Sequence, residues 1–352
     1  MIKILHSADW HLDAPLRGKE QLKSILKAIP GKIARICKEE GCDLVLLAGD
    51  LFDTTYTKQS YQALYDALKA MEVPVFITPG NHDPANAQSP WLLEIWPENV
   101  HIFTRPVIES VALPHLNCRI YGAGFTSMDC PGLLEGFRAQ CPESYAIGIF
   151  HGDPLLLSSP CNPITRAQVR ESGLDYLALG HTHNSGSFTA GDTLCLWAGC
   201  PMGKDYGEPG EKGVYIVTVD GGASASFIPL DAPRFYDIEE PVRQSPEHTL
   251  ESLLPPAGNE DYYRITLTGI TEPWDVGELT GRFSRFPNLV LRDHTRQPVD
   301  VWKALGQDNL EGHYFGLLKQ ALDNADAETA ETVLLAASLS RQILDGQEVE
   351  LP

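Results

Sequence analysis

The chain is poor in positive charge. Its 352 residues contain 27 lysines and arginines against 47 aspartates and glutamates, which gives a formal net charge of −20 at pH 7. Non-specific binding to nucleic acid depends on lysine and arginine side chains that neutralise phosphates. The composition therefore excludes a chain whose whole surface binds nucleic acid, and any such contact has to be local.

Long apolar runs and paired cysteines are also missing. No stretch approaches the ~20 apolar residues of a membrane-spanning helix, and the N-terminal segment carries Lys3, His6 and Asp9 where a signal peptide has an apolar core. We therefore expect a soluble cytoplasmic protein with no membrane partner. The eight cysteines include no Cys-x-x-Cys pair, so neither a zinc ribbon nor a redox motif is indicated. We expect them to be small buried residues that stay reduced.

What the chain does contain is one pattern that occurs five times. A short apolar run, typical of a buried strand, is followed within a few residues by His, Asp or Asn. The clearest example is residues 44–48, which end at Gly49 and are followed by Asp50. The other four are residues 2–6 with Asp9 and His11, residues 75–78 with Asn81, His82 and Asp83, residues 146–150 with His151, and residues 176–179 with His181 and His183.

These polar residues predict a metal site. The carboxyl ends of parallel strands meet at one edge of a sheet, so we expect the five strands in one sheet and their loops at a single place. Nitrogen and oxygen ligands without thiolate suit manganese, iron or zinc, and disfavour an all-oxygen magnesium or calcium cage. Asp50 is the natural bridging ligand, because a short carboxylate can span two metals ~3.5–4 Å apart.

The alternation of elements predicts the fold class. Residues 19–40 and 57–71 have the apolar spacing of helices, although Pro30-Gly31 should interrupt the first. Strand, helix, strand, helix, strand is the order that parallel crossovers require, so the class is α/β. Short strands at 103–125 and 186–219 predict a second sheet packed on the first.

Near residue 232 the sequence changes to a polar, proline-bearing connection, and a new strand pattern begins at Tyr262. We therefore expect two domains, residues 1–232 and residues 233–352. The second is expected to be the smaller one and to mix strands with helices. Its predicted elements are strands at 262–268 and 288–292 and helices at 275–284, 309–322 and 328–344.

Five sequence blocks carry a family resemblance. They are Asp9-x-His11, Gly49-Asp50, Gly80-Asn81-His82-Asp83, His151-Gly152 and Gly180-His181-Thr182-His183. Together they resemble the signature of the calcineurin-like metallophosphoesterases. Within that superfamily, residues 6–12, residues 49–53 and Gly199-Cys200-Pro201 are similar to the SbcD-type DNA repair exonucleases. The resemblance implies a two-sheet sandwich flanked by helices, with a smaller C-terminal α+β capping domain.

The resemblance also implies roles for the site residues. One divalent metal ion would be held by Asp9, His11, Asp50 and His183, and a second by Asp50, Asn81, His151 and His181, with manganese as the expected ion. His82, with Asp83 behind it, would be the catalytic histidine that is not a ligand. Two positions depart from the SbcD pattern: Asp53 stands where a histidine is common, and Cys200 replaces serine in Gly-Ser-Pro.

Partners follow from the same resemblance. SbcD-type nucleases act on DNA with an SMC-like ABC ATPase of the SbcC type, and a homodimer is a further possibility. Apolar stripes along 309–322 and 328–344 would contact the ATPase or pack within their own domain. A patch of arginines interleaved with aromatic residues would follow a phosphate backbone or form a solvated face. Its members are Arg282, Arg285, Arg292 and Arg296.

Two other functions stay open at this point. A phosphatase or cyclic-nucleotide phosphodiesterase would use the same metal site on a smaller substrate. A metal-free scaffold would use the fold only to bind partners. The intact set of possible ligands argues against the scaffold.

Overall fold

A computed structural model describes residues 1–16 and 18–346. The chain divides into two compact units. The first consists of Met1–Asp237 with Glu260–Tyr263, and the second of Ile238–Asn259 with the chain from Arg264 onward. The assignment of residues 1–232 and 233–352 to a nuclease domain and a capping domain stays a prediction, because compactness does not report function.

Two six-stranded sheets form the first unit. The strands of one are β1 (Ile2–Ser7), β2 (Leu44–Leu47), β3 (Val75–Ile77), β4 (Val100–Ile102), β11 (Gly213–Val219) and β12 (Ala223–Pro229). Those of the other are β5 (Glu109–Leu113), β6 (Cys118–Ala123), β7 (Tyr145–His151), β8 (Tyr176–Gly180), β9 (Gly186–Ala190) and β10 (Thr193–Trp197). The spatial orders are β12-β11-β1-β2-β3-β4 and β5-β6-β7-β8-β10-β9. The predicted α/β two-sheet sandwich is therefore confirmed.

The division of strands between the sheets differs from our expectation. The five strands that precede the polar loops do not share one sheet: β1, β2 and β3 run parallel in the first, and β7 and β8 run parallel in the second. The strand at Gly213–Val219 was expected in the second sheet but pairs antiparallel with β1, with Ile4 opposite Val217. Both errors have one cause, since local sequence reports that a residue is buried but not which strand lies beside it.

Successive side chains of a strand point to opposite faces of its sheet and so enter different cores. In β2, Leu44 and Leu46 belong to a core shared with Ile147 and Ile149 of the second sheet, whereas Val45 and Leu47 pack with the helices on the outer face. All four side chains are fully buried, because the strand is covered on both sides. A further core covers the outer face of the second sheet.

Helix α1 (Gln21–Glu39) runs without a break, so the expected interruption at Pro30-Gly31 was wrong. Pro30 is buried in the helix, and the flanking Ile29 and Ile33 belong to the outer core of the first sheet. Packing of the buried apolar side chains of α1 into this core outweighs the ~3 kcal/mol that an internal proline costs. The other helices of this unit are α2 (Lys58–Met71), α3 (Pro90–Leu93) and α4 (Arg166–Glu171).

The second unit combines strands and helices. Its sheet has the order β13-β14-β15, with bounds Phe235–Pro241, Tyr262–Thr268 and Leu289–Asp293, and the first two strands begin in the first unit. The helices are α5 (Pro246–Leu253), α6 (Val276–Arg282), α7 (Leu310–Asp323) and α8 (Ala327–Leu344). Strand β13 and helix α5 occupy the stretch that we expected to be a polar connection. Within residues 1–16 and 18–346, no helix is both long and apolar enough to cross a membrane.

Candidate metal centre

The loops after the strands hold their polar side chains with unusual backbone geometry. Asp9, His11, Asp50 and His181 all have positive φ, at 56°, 48°, 53° and 90°. Such a conformation is strained for residues other than glycine and persists only where the surrounding structure enforces it. Backbone bonds supply part of that enforcement: Asp9 N donates to Gly49 O at 3.0 Å, and His11 N donates to Asp50 O at 2.9 Å.

Asp50 lies at the centre of the cluster and is buried. Its Oδ2 lies 3.4 Å from His151 Nε2 and 3.8 Å from His11 Nε2, so one carboxylate oxygen faces histidines from both sheets. Its Oδ1 accepts a hydrogen bond from His82 N at 2.8 Å. Burial acts to raise the pKa of Asp50, but His151 and His11 outweigh it and hold the pKa well below the usual range. The carboxylate is therefore charged and shared between two groups of donors.

One group of donors consists of Asp9, His11 and His183, each of which offers a ligand atom within 4.8 Å of the others. His11 Nε2 and His183 Nε2 face each other at 3.0 Å. The other group surrounds Asn81, whose Oδ1 lies 2.9 Å from His151 Nε2 and 3.0 Å from His181 Nδ1. The structure thus brings all seven predicted metal ligands together around the carboxylate of Asp50, and their division into two metal-binding sets stays a prediction.

Each of the four histidines turns its other ring nitrogen toward an oxygen atom. His151 Nδ1 donates to Ala48 O at 2.9 Å, and His183 Nδ1 donates to Glu208 Oε1 at 2.5 Å. The remaining two pairs are His11 Nδ1 with Asp53 Oδ1 at 3.4 Å and His181 Nε2 with Asp153 Oδ2 at 3.6 Å. An outer oxygen of this kind fixes the tautomer of a metal-binding histidine, so that the unprotonated nitrogen faces inward.

Glu208 and Asp153 were not singled out from the sequence. Glu208 lies far from the end of any buried strand, and no local signal marks it. Asp153 lies two residues after β7, so the pattern used above could have found it. Lys204 reinforces Glu208, since its backbone N donates to Glu208 Oε2 at 2.8 Å. Burial acts to raise the pKa of Glu208, but His183 and Lys204 together lower it to about 2. Glu208 is therefore an anion that can support the imidazole of His183.

His82 lies beside the ligands and has a carboxylate of its own. Its Nδ1 donates to Asp53 Oδ1 at 3.0 Å, and this bond raises the pKa of His82. The bonds from His11 and His82 hold the pKa of Asp53 well below its usual range. The side chain of His82 is 40% exposed, so its ring reaches solvent. The geometry is that of an imidazole that can give a proton to a bound substrate.

The carboxylate that we expected behind His82 is elsewhere. Asp83 is buried and accepts backbone N–H bonds from Gly80 at 2.7 Å, Leu51 at 2.8 Å and Phe52 at 3.1 Å. It therefore ties two ligand loops to each other, and Asp53 is the residue that contacts His82.

Cys200 does not supply a ligand. It is buried, its N donates to His183 O at 3.1 Å, and burial raises the pKa of its thiol to about 12. The donor set is therefore carboxylate, amide and imidazole, which fits two divalent ions of the manganese, iron or zinc type. The observed convergence of charged Asp50 with inward-facing imidazole nitrogens supports the same fit.

The four arginines of the expected patch lie in the second unit. Arg282 is paired with Glu247 at 2.9 Å and Glu278 at 2.7 Å. The guanidinium of Arg285 lies over Phe283 and Phe286, at 5.1 and 5.0 Å from the ring centroids. Contact of the patch, including Arg292 and Arg296, with DNA stays a prediction.

Known proteins match this chain in sequence over most of its length. The model of the family described as calcineurin-like phosphoesterase matches residues 2–185. The chain is 26% identical to a protein of Bacillus subtilis described as uncharacterized metallophosphoesterase YhaO, over 92% of this chain and 88% of that protein. It is 22% identical to one of the subunits of the nuclease SbcCD from Staphylococcus epidermidis, over 95% of this chain and 98% of that protein.

A solved structure is also similar. The crystal structure of TT1561 of Thermus thermophilus aligns with a TM-score of 0.41 and 13% identity. The alignment covers 64% of this chain and 98% of that one.

Proposed function

Because the chain belongs to the calcineurin-like phosphoesterase family, whose members are metal-dependent phosphoesterases, we propose that it hydrolyses phosphodiester bonds in DNA as an exonuclease of DNA repair. The observation that carries the proposal is the cluster itself: seven nitrogen and oxygen donors converge in two groups around Asp50, with His82 beside them. The choice of DNA rests on the similarity to an SbcCD nuclease subunit along 95% of the chain.

The proposed ligand roles follow the two groups of donors. Asp9, His11, Asp50 and His183 would hold one ion, and Asp50, Asn81, His151 and His181 would hold the other. We assign manganese as the ion, since mixed imidazole and carboxylate ligands suit it. Two bound divalent ions would polarise the phosphoryl oxygens and offset the charge of the transition state.

His82 supplies the proton. Its Nδ1 is occupied by Asp53, so the proton on Nε2 is the one that it presents to the leaving oxygen. General-acid catalysis of this kind contributes ~10²–10⁴ in rate. Asp83 acts indirectly, because its bonds to Gly80, Leu51 and Phe52 hold the loops that carry His82 and Asp50.

We further propose that the second unit binds the partner. A cytoplasmic SMC-like ABC ATPase of the SbcC type would supply the DNA-binding surface that this acidic chain lacks. Helices α7 and α8 pack through buried Phe315 and Ala337, while Leu310, Leu317 and Ile343 are 87%, 67% and 62% exposed. An exposed apolar row of this kind suits a helix-in-groove contact, and a second copy of the chain is the other possible occupant.

A small phosphodiester is the second candidate substrate. It is favoured by the pairing of Arg282 with two glutamates, which leaves that side chain less able to bind a phosphate backbone. The net charge of −20 points the same way, because a mononucleotide ester needs fewer cationic contacts than a duplex.

One assay separates these functions. The protein is incubated with end-labelled duplex DNA, single-stranded DNA and bis-p-nitrophenyl phosphate in manganese, in magnesium and in chelator. We expect metal-dependent release of nucleotides from DNA and hydrolysis of the small ester. The Asp50→Asn variant should lose both activities and bind less metal, because an amide is neutral and has only one carbonyl oxygen to bridge two cations. Hydrolysis of the small ester alone would favour the second candidate, and full activity in Asp50→Asn would contradict the two-metal assignment.

A further inference from the structure

A cavity of about 280 Å³ opens beside His82, whose ring also packs edge-on against the metal ligand His11 with 4.7 Å between the ring centroids. The cavity walls come from the segment after β2 and from the segment that leads into α3, and they include Thr55, Tyr56 and Ser89. His82 itself is part of the wall, so one imidazole borders both the ligand cluster and the cavity. Whatever occupies the cavity is within reach of the proton that His82 donates.

The lining of the cavity indicates what it can hold. It contains hydroxyl and amide side chains and the aromatic rings of Phe52 and Tyr56, but no lysine or arginine. Asp53 also lines it, and its carboxylate accepts a hydrogen bond from His82 Nδ1. A second phosphate would meet no lysine or arginine there and would face the carboxylate of Asp53. An uncharged group with hydrogen-bonding edges and a flat face suits the lining better.

Ser89 provides an independent reason to expect a ligand. It precedes helix α3 at the N-cap position, where a serine side chain normally accepts a backbone N–H, yet its side chain makes no capping bond. The residue is 7% exposed, and its Oγ has no partner among the described residues. A buried hydroxyl without a partner is unfavourable, and a ligand group that bonds to it would remove that penalty.

From these observations we infer that the cavity binds the nucleoside on the leaving side of the scissile phosphate. The inference rests on the proposed phosphodiesterase function and adds a substrate class to it. Hydrolysis consumes one water, whose oxygen forms the new bond to phosphorus. The bond from phosphorus to the sugar oxygen of the leaving nucleoside breaks, and that oxygen takes the proton from His82 Nε2. The proton that the water loses passes to solvent, from which His82 is protonated again.

The position of His82 explains why the leaving side is the one that enters. The donated proton goes to the leaving oxygen, so the group attached to that oxygen lies next to His82, and the cavity is the space that opens beside this ring. With a volume near the lower end of the ~300–1,000 Å³ range for small-molecule pockets, the cavity has room for one nucleoside and not for a longer segment.

The test uses three dinucleotides in manganese. One carries both bases, and the other two each lack one base. The product that carries the phosphate identifies the leaving side. We expect loss of the leaving-side base to raise KM about tenfold or more, consistent with the ~1–3 kcal/mol of a stacked base, and loss of the other base to change KM less than about threefold. Equal KM values for all three substrates would overturn the inference.

Variants of residues in and near the cavity test whether the leaving-side base binds there. Thr55→Trp fills it and should remove the difference between the intact substrate and the leaving-side abasic one, while Ser89→Ala should reduce that difference severalfold. Ala87→Trp is the matched control, since residue 87 is exposed on the same segment but does not line the cavity, and it should behave as the wild type. A difference that persists in Thr55→Trp would place the base elsewhere and contradict the inference.

Equilibrium binding separates this inference from the proposed function. Saturation-transfer NMR with thymidine needs no turnover. Binding to the wild type and to Ala87→Trp, with loss in Thr55→Trp, would support the cavity even if no phosphodiester were hydrolysed. No thymidine binding by a wild-type protein that hydrolyses bis-p-nitrophenyl phosphate would overturn the cavity while leaving the proposed function intact.

Discussion

Replacement of Asp53 by asparagine tests how His82 is set up for proton transfer. Asp53 Oδ1 lies 3.0 Å from His82 Nδ1 and 3.4 Å from His11 Nδ1. Asparagine has the same size but no charge, so the change removes the carboxylate that raises the pKa of His82 and leaves the side-chain volume unchanged. We expect a slower enzyme with its metal still bound.

The size of the effect follows from the charge that is lost, since the asparagine Oδ1 can still accept a hydrogen bond from His82 Nδ1. A hydrogen bond to a charged group contributes ~1.5–3 kcal/mol, and each ~1.4 kcal/mol corresponds to a factor of ten in rate. The side chain of Asp53 is 15% exposed and that of His82 is 40% exposed, so solvent screens the pair and the lower part of the range applies. A neutral hydrogen bond contributes ~0.5–1.5 kcal/mol and remains in the variant, so the loss is about 1 kcal/mol and we expect kcat to fall about fivefold.

The pH dependence of kcat should show in which direction Asp53 shifts the pKa of His82. A general acid works only while protonated, and Asp53 raises the pKa of His82, so the wild type keeps its acid to a higher pH. In Asp53→Asn the alkaline limb of kcat should move to lower pH. The pair also stabilises the fold. That contribution is complete between the ordinary pKa values of 3.8 and 6.5, and it is lost as pH falls through the lowered pKa of Asp53 or rises through the raised pKa of His82.

The assay is kcat for a dinucleotide from about pH 5 to pH 10, with the metal content measured on the same samples. A p-nitrophenyl ester is the internal control, because its good leaving group needs less help from an acid and should show a smaller loss. An unshifted alkaline limb in Asp53→Asn would refute the proposed proton transfer. Metal loss in proportion to the lost rate would instead show that Asp53 acts through His11.

Three further changes should have distinct results. His82→Ala should keep both metal ions and lose ~10²–10⁴ in kcat, and a parallel fall in metal content would make His82 a ligand. Glu208→Gln should weaken metal binding ~10–100-fold by releasing His183, without moving the alkaline limb of kcat; a titration with manganese measures this. Gly80→Ala should reduce both metal content and activity, since its Cβ would collide with Asp50 Oδ1, and wild-type values would show that the loop can adapt.

The sequence alone was sufficient to predict the class of fold and to identify side chains that converge in the structure. Asp50 could be recognised because a buried strand and a glycine break precede it, and both are local features. His151 is the last residue of the buried strand β7, and His181 comes directly after β8. A strand that ends delivers the next polar side chain to the sheet edge whatever its neighbours are, so this part of the site could be predicted without knowing the topology.

Tertiary structure decided which strands are neighbours. The apolar content of β11 predicts a buried strand, but its antiparallel pairing with β1 depends on the whole path of the chain. Pro30 shows the same limit within a helix, because the helix continues where local preference predicts a break. In both cases long-range packing outweighs a local preference worth only a few kcal/mol.

The residues behind the ligands were also decided by tertiary structure alone. Glu208 reaches His183 from a loop 25 residues away, and no spacing rule connects them. Asp53 and Asp83 are both carboxylates that lie close to the ligand loops in sequence. In the folded chain, however, His82 bonds to Asp53, and Asp83 accepts the backbone N–H of Gly80. A candidate ligand can be recognised in the sequence because it lies at the end of a buried strand. The residue that bonds to that ligand depends on which side chains are close in the folded structure, and sequence separation does not report this.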